Sequence, residues 1–213
     1  MEEFIILFLI FAFFIFLISR IIRAVSVSGR MHREDPGEKI VKNILSNLPE
    51  EYNVYKNLLL PSSKNGTTEI DHLVVSPYGV FVIETKHYYG TVMGDRDLKE
   101  WVQDTGLETK YFPNPLDQNY GHLKAVQEVA HVRFEDMISI VVFAGEAEIP
   151  DINSSLKNEY VIEECELLDL IGFFKKRTIK PWFQAKITER LEENNRGGSK
   201  AFREHVINVR ATH

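Results

Sequence analysis

The sequence is short of cysteine, of net positive charge and of any internal repeat, and each shortage closes off a class of function. A single cysteine, Cys165, excludes an internal disulfide and a cysteine-rich zinc site, and it fits a reducing compartment. Lysine and arginine (25) are outnumbered by aspartate and glutamate (31), giving a net charge of −6. A general nucleic-acid coat protein would be basic, although an enzyme gripping nucleic acid through one local patch is not excluded. No GxxxxGKS phosphate loop and no serine or cysteine nucleophile constellation is evident. What is there is ordinary globular material: 213 residues, 44% hydrophobic and 26% charged. That suits one domain of usual size plus an appendage.

The appendage is the long hydrocarbon run from Phe4 to Ile22. Its core of about 16 residues, extended by a snorkelling Arg20, approaches the roughly 17–25 needed to span a bilayer. Glu2 and Glu3 stand where a secretory signal carries cations, and no small-residue cleavage site is convincing. The run therefore reads as a transmembrane anchor over residues 1–23, followed by a polar linker over 24–34. Arg20, Arg23, Arg30 and Arg33 follow the apolar core. The positive-inside rule then places the N-terminus outside and the C-terminal domain in the cytoplasm, as a single-pass membrane protein.

Asp35-Pro36-Gly37-Glu38 opens a helix, with Asp35 as N-cap, Pro36 at the first helical position and Glu38 where a capping box has its carboxylate. Val41, Leu45 and Leu48 form the buried stripe, and Leu48-Pro49 closes the helix. A strand over Tyr52–Leu60 follows. Two apolar runs, EIDHLVV and GVFVIETKH, then flank the turn signal Ser76-Pro77-Tyr78-Gly79 and predict a β-hairpin. Pairing across that turn sets Asp71 opposite Glu84, and Lys86 shares the face of Glu84. Directly opposed Cβ atoms lie about 4.5–5.5 Å apart, where like charges repel. A divalent cation between them resolves the repulsion, and hard oxygen ligands are what Mg²⁺ accepts. Phosphodiester hydrolysis needs a water made nucleophilic near neutral pH and a Lewis acid on the phosphate oxygen, and these residue types can supply both. Asp71, Glu84, the Thr85 carbonyl and Glu38 are the candidate ligands for Mg²⁺ (or Mn²⁺), and Lys86 is the cation that orients water or meets charge developing on phosphate. A plain salt bridge of Lys86 to Asp71 or Glu84 in a non-catalytic sheet is the alternative, as is a purely capping Glu38.

The helix, strand and hairpin carrying Asp…Glu-X-Lys resemble the core of the PD-(D/E)XK nuclease superfamily, and more narrowly the nuclease-related (NERD) domain. The matching pieces are Gly37-Glu38, Glu69-Ile70-Asp71-His72, Ser76 to Lys86, Gly90, Gly94, Trp101, and Asn114-Pro115-Leu116 with Gln118-Asn119 and His122. The resemblance implies a restriction-endonuclease-like core, a mixed central β-sheet flanked by helices in the α/β class. The nuclease-like core is expected over 35–145, with the strand and helices of 146–213 packing on it.

Beyond the hairpin, Tyr88 to Met93 reads as its continuation, Leu98–Val102 as a short strand, and Tyr111 to Pro115 as a loop. Trp101 reads as a packing anchor, with a base-stacking platform as the alternative. A helix over Leu116–His131 puts Gln118, His122, Val126 and Val129 on one face. Gln118 joins the candidate catalytic residues, and His122 either contacts substrate or holds another residue. Met137–Ala144 is a central strand covered on both faces, and Glu146–Ser155 a polar loop. Glu159–Ile162 is an edge strand, Glu163–Phe174 an amphipathic helix, and Pro181–Asn194 and Ser199–Val209 two further helices. The basic cluster Lys175, Lys176 and Arg177 is either a solvated helix end, a phosphate-contacting patch or a contact with anionic lipid. The expected activity is Mg²⁺-dependent hydrolysis of nucleic acid, DNA in the first place. The competing expectation is a catalytically inactive nuclease-like domain that binds nucleic acid or a protein partner at the membrane.

Overall fold

The computed structural model describes residues 35–64, 66–149 and 157–197. The chain divides into two units at Glu34/Asp35, and all described residues belong to the second. The expected anchor, the linker and the helix over Ser199–Val209 lie outside the described residues. No helix among the described residues is long and apolar enough to cross a membrane.

Helix α1 (Pro36–Leu45) starts as its sequence dictates: the Asp35 carboxylate accepts from the Gly37 N–H at 2.8 Å, with Pro36 in the first turn. The helix ends at Leu45, and turns carry the chain to Leu48, one turn short of the expected boundary. Strands β1 (Asn53–Ser62), β2 (Gly66–Ser76) and β3 (Gly79–His87) form a meander. They join β7 (Met137–Ala144) and β9 (Glu159–Glu163) in a five-stranded sheet of order β1-β2-β3-β7-β9. β3 and β7 run parallel from Val80–Met137 to His87–Ala144. Such a pair needs a long crossover, and this one contains three strands of a second sheet and helix α2 (Pro115–Ala130). Helices α3 (Leu167–Phe173) and α4 (Pro181–Asn194) complete the described chain.

Alternation along β3 divides the core in two. Val80 and Val82 pack with Leu123 and Val126 of α2 and with Ile187 and Leu191 of α4. Phe81 and Ile83 pack with Val41 and Leu45 of α1 and Leu167 and Ile171 of α3. All of β7 is buried, as expected for a strand covered on both faces. The mixed sheet flanked by helices is thus the architecture that the sequence implied.

Three local readings need correction. The segment after His87 does not prolong the hairpin; it becomes β4 (Gly90–Met93), which with β5 (Glu100–Asp104), β6 (Thr109–Pro113) and β8 (Ala147–Glu148) forms a separate sheet of order β6-β5-β4-β8. Residues read as a loop form β6 (Thr109–Pro113), paired with β5 (Glu100–Asp104). Only Phe112 of β6 is buried, so no alternating apolar signal marks it. β8 (Ala147–Glu148) lies within what was read as a polar loop. The small sheet is fastened by Trp101, fully buried, stacked 6.2 Å from Phe143 and donating from its indole N–H to the Asp95 carbonyl at 2.9 Å. Trp101 is a packing anchor, as its sequence context suggested.

Candidate active site

The site lies where β2 and β3 part. Their pairing runs from Ser76–Gly79 to His72–Ile83 and stops there. Beyond it, β2 stays paired only with β1. The β1–β2 register skips Asn57, whose φ is +48°, opposite Asp71. Tyr55 and Leu73 before this point, and Leu58 and Ile70 after it, face the same core. Strict alternation has therefore slipped by one residue, and the paired strands swing away from β3. Asp71 does not sit in a direct cross-strand pair with Glu84, as simple register would have it. Its Oδ2 instead accepts the Thr85 N–H at 2.8 Å, taking the place of the next rung of the ladder.

Glu84 follows Val80 and Val82 onto the α2 face and is 2% exposed. A carboxylate there is costly unless it is hydrogen-bonded, and two donors supply it. Lys86, two residues on along the same face, donates from Nζ to Glu84 Oε1 at 2.6 Å and to Gln118 Oε1 at 3.0 Å. His122, one turn along α2 from Gln118, meets Glu84 Oε2 through Nε2 at 3.1 Å, while its Nδ1 lies 2.9 Å from Thr68 Oγ1. The Lys86 side chain stays 18% exposed, so it lies at the edge of the cluster rather than buried within it. The structure therefore gathers Asp71, Glu84, Lys86, Gln118 and His122. With both ring nitrogens engaged, His122 holds Glu84, which is the positioning alternative rather than a substrate contact.

The two carboxylates titrate in opposite senses. Burial pushes the Asp71 carboxyl up, and the charge of Glu84 pushes it further, against the Thr85 N–H and Lys86, to about 8. Burial acts on Glu84 in the same upward direction, but the hydrogen bond from His122 and the Lys86 ammonium outweigh it and hold Glu84 below its ordinary value. One acid of the pair thus keeps its charge while the other tends to hold a proton. Glu38 adds to this field, since its charge also raises Asp71. It reaches the site because α1 begins against the ends of β3 and β7: a Cβ on Gly37 would lie 2.8 Å from His87 Cβ and 3.3 Å from Ala144 Cβ. The Glu38 main chain also hydrogen-bonds His72. His72 is buried, its Nδ1 lies 3.5 Å from Thr85 Oγ1, and burial lowers its pKa to about 4.

Among the described residues, no three His, Cys, Asp or Glu side chains group closely enough to form a metal site by themselves. The donor set nonetheless suits a hard cation. It has two carboxylates whose charges oppose each other, and a Thr85 carbonyl that strand geometry turns to the same side as the Thr85 N–H, towards Asp71. Mg²⁺ retains several waters and binds through as few as one or two carboxylates. Both Glu84 oxygens already accept one hydrogen bond, and each has a further lone pair to give.

Lys175, Lys176 and Arg177 are not part of this cluster. Thr178 and Ile179 donate to the Pro77 carbonyl at 2.9 and 3.0 Å, and Arg177 pairs with Glu51 at 2.7 Å and lies over the Tyr78 ring. That is the turn end of the hairpin, six residues from Glu84 along β3, or roughly 20 Å at about 3.3 Å per residue. Two supporting residues escaped the sequence reading. Thr68 shows no signal, being a hydroxyl 54 residues from its histidine partner. Asn119 stood among the matching motif residues without a role. Its Nδ2 reaches the Val82 carbonyl (3.0 Å), Ser139 Oγ (2.8 Å) and the Ile140 carbonyl (3.3 Å), tying α2 to β3 and β7 beneath the site.

A mixed sheet with an acid where two strands diverge, Glu-X-Lys on the next strand and a glutamine from the crossover helix defines a PD-(D/E)XK-like nuclease domain. Comparison with known families agrees: residues 33–144 match the nuclease-related domain, NERD, and the chain belongs to that family. An uncharacterized protein of Bacillus anthracis is 35% identical over 127 residues, which is 59% of each chain. The chain thus spans about three-fifths of the length of that relative. The family supports nuclease-type activity and nucleic-acid binding, and domains of this superfamily usually use divalent metals.

Proposed function

We propose that the protein is a membrane-anchored, Mg²⁺-dependent nuclease that hydrolyses phosphodiester bonds of DNA, with the catalytic domain on the cytoplasmic side. The observation that carries this reading is the Glu84–Lys86–Gln118 contact beside Asp71. A lysine is held at 2.6 and 3.0 Å between two side chains and stays partly exposed beside the strand divergence. Asp71, Glu84, the Thr85 carbonyl and Glu38 would hold the metal. When bound, the metal supplies a Lewis acid and lowers the pKa of its water towards neutrality. Lys86, aimed by Glu84 and Gln118, orients the attacking water and stabilises charge developing on the phosphate oxygens. His122 and Thr68 fix the far oxygen of Glu84, and the Thr85 N–H fixes Asp71. Residues held in this way cost little reorganisation when charge develops.

One observation favours the alternative. Both oxygens of Glu84 are already hydrogen-bonded by donors within the fold, the arrangement expected of an inactive domain that binds nucleic acid or a protein partner. Incubating the full chain, purified in detergent, with plasmid and linear DNA separates the two. Cleavage with Mg²⁺ or Mn²⁺ that chelator abolishes supports the nuclease. Binding without metal-dependent cleavage on every substrate supports the alternative.

A further inference from the structure

The basic segment left out of the site has its own logic. From Leu170 to Thr188 the chain carries five cations, Lys175, Lys176, Arg177, Lys180 and Lys186, and no carboxylate, within a protein of net charge −6. The connector between α3 and α4 is strapped over the hairpin turn by the two N–H bonds to Pro77. Arg177 is spent on Glu51 and Tyr78. The four lysines are exposed and make no ion pair among the described residues. Phe173, the last residue of α3, and Trp182, in the first turn of α4, are 74% and 66% exposed and bracket Lys175, Lys176 and Lys180.

Large aromatics left in water beside unpaired lysines match the chemistry of an anionic bilayer surface. Aromatic rings settle at headgroup depth, and lysines meet the negative surface potential. We infer that this connector docks on anionic lipid, with Phe173 and Trp182 entering the interface and Lys175, Lys176 and Lys180 facing the headgroups. Nucleic acid is the less favoured occupant because the segment sits at the turn end of β3, away from the strand divergence that holds Asp71 and Glu84. The inference depends neither on cleavage nor on the N-terminal hydrophobic run.

The chain contains its own probe. Of its two tryptophans, Trp101 is fully buried and Trp182 is exposed, so the difference in emission between the parent chain and Trp182→Phe reports on Trp182. The full chain is placed in vesicles of phosphatidylcholine, with or without about one-third phosphatidylglycerol. With phosphatidylglycerol, Trp182 emission should move to shorter wavelength and be quenched by brominated lipid. The combined Lys175→Ala, Lys176→Ala and Lys180→Ala chain should lower the docking equilibrium about a hundredfold, at about fivefold per lysine. Unchanged circular dichroism of that variant ties the loss to charge. Trp182 remaining open to aqueous quencher on anionic vesicles, or equal quenching in pure phosphatidylcholine, overturns the inference. So does shielding of Trp182 by plasmid DNA but not by vesicles.

Discussion

Glu84 is buried, yet it keeps its charge because Lys86 and His122 each donate to one of its oxygens. Removing one donor should therefore cost stability as well as function. His122→Ala leaves Glu84 Oε2 without that donor, and a denaturant titration should show a loss of about 1–3 kcal/mol. Asp71 answers to pH in the opposite sense. Its folded value of about 8 lies above the ordinary 3.8, so between these limits the folded chain binds a proton that the unfolded chain has released. The corresponding stability is complete below the unfolded value and is lost as pH rises through the folded one. In chelator, the melting temperature should decline from about pH 5 to about pH 9, and Asp71→Asn should flatten that decline. Mg²⁺ should offset it at the alkaline end, where the metal no longer competes with a proton. A melting temperature in chelator that rises with pH over this range, with Asp71→Asn unchanged, would show that Asp71 does not experience this field.

At the scale of elements, the site depends on where α1 begins. Gly37 leaves no room for a side chain between the helix and the ends of β3 and β7. Gly37→Ala should destabilise the fold by about 1–3 kcal/mol through overpacking, measured by thermal or denaturant unfolding. It should also reduce cleavage by displacing Glu38, whereas a stable, fully active Gly37→Ala would show that α1 only covers the sheet. Much of this arrangement was legible in the sequence. The Ser76–Gly79 turn, the hairpin register as far as His72–Ile83, the common face of Glu84 and Lys86, and the helix bringing Gln118 and His122 follow from period-two and helical spacing. What period could not disclose is where a period fails. The slip at Asn57 and Asp71 turns a presumed cross-strand pair into a side-chain-to-backbone bond. The small second sheet was obscured for a related reason: β6 exposes all but Phe112, and β8 is two residues long. Thr68 was invisible because its role exists only in the folded contact with His122.

For the whole molecule, anchorage and catalysis would reside in different parts of the chain. The proposed membrane anchorage rests on the apolar run Phe4–Ile22 and the arginines after it. A reporter that is active only in the cytoplasm, fused after His213, should be active, and one active only outside should be silent; the reverse result would invert the topology. The proposed catalysis rests on the strand divergence that gathers Asp71, Glu84 and Lys86. The most direct test is single-turnover cleavage of labelled DNA by the full chain and by Lys86→Ala, each with Mg²⁺ and with chelator. The account predicts cleavage only with Mg²⁺, a rate about 10²–10³-fold lower for Lys86→Ala, and DNA affinity altered little. Cleavage that persists in chelator, or a Lys86→Ala chain that cuts at the parent rate, would contradict it.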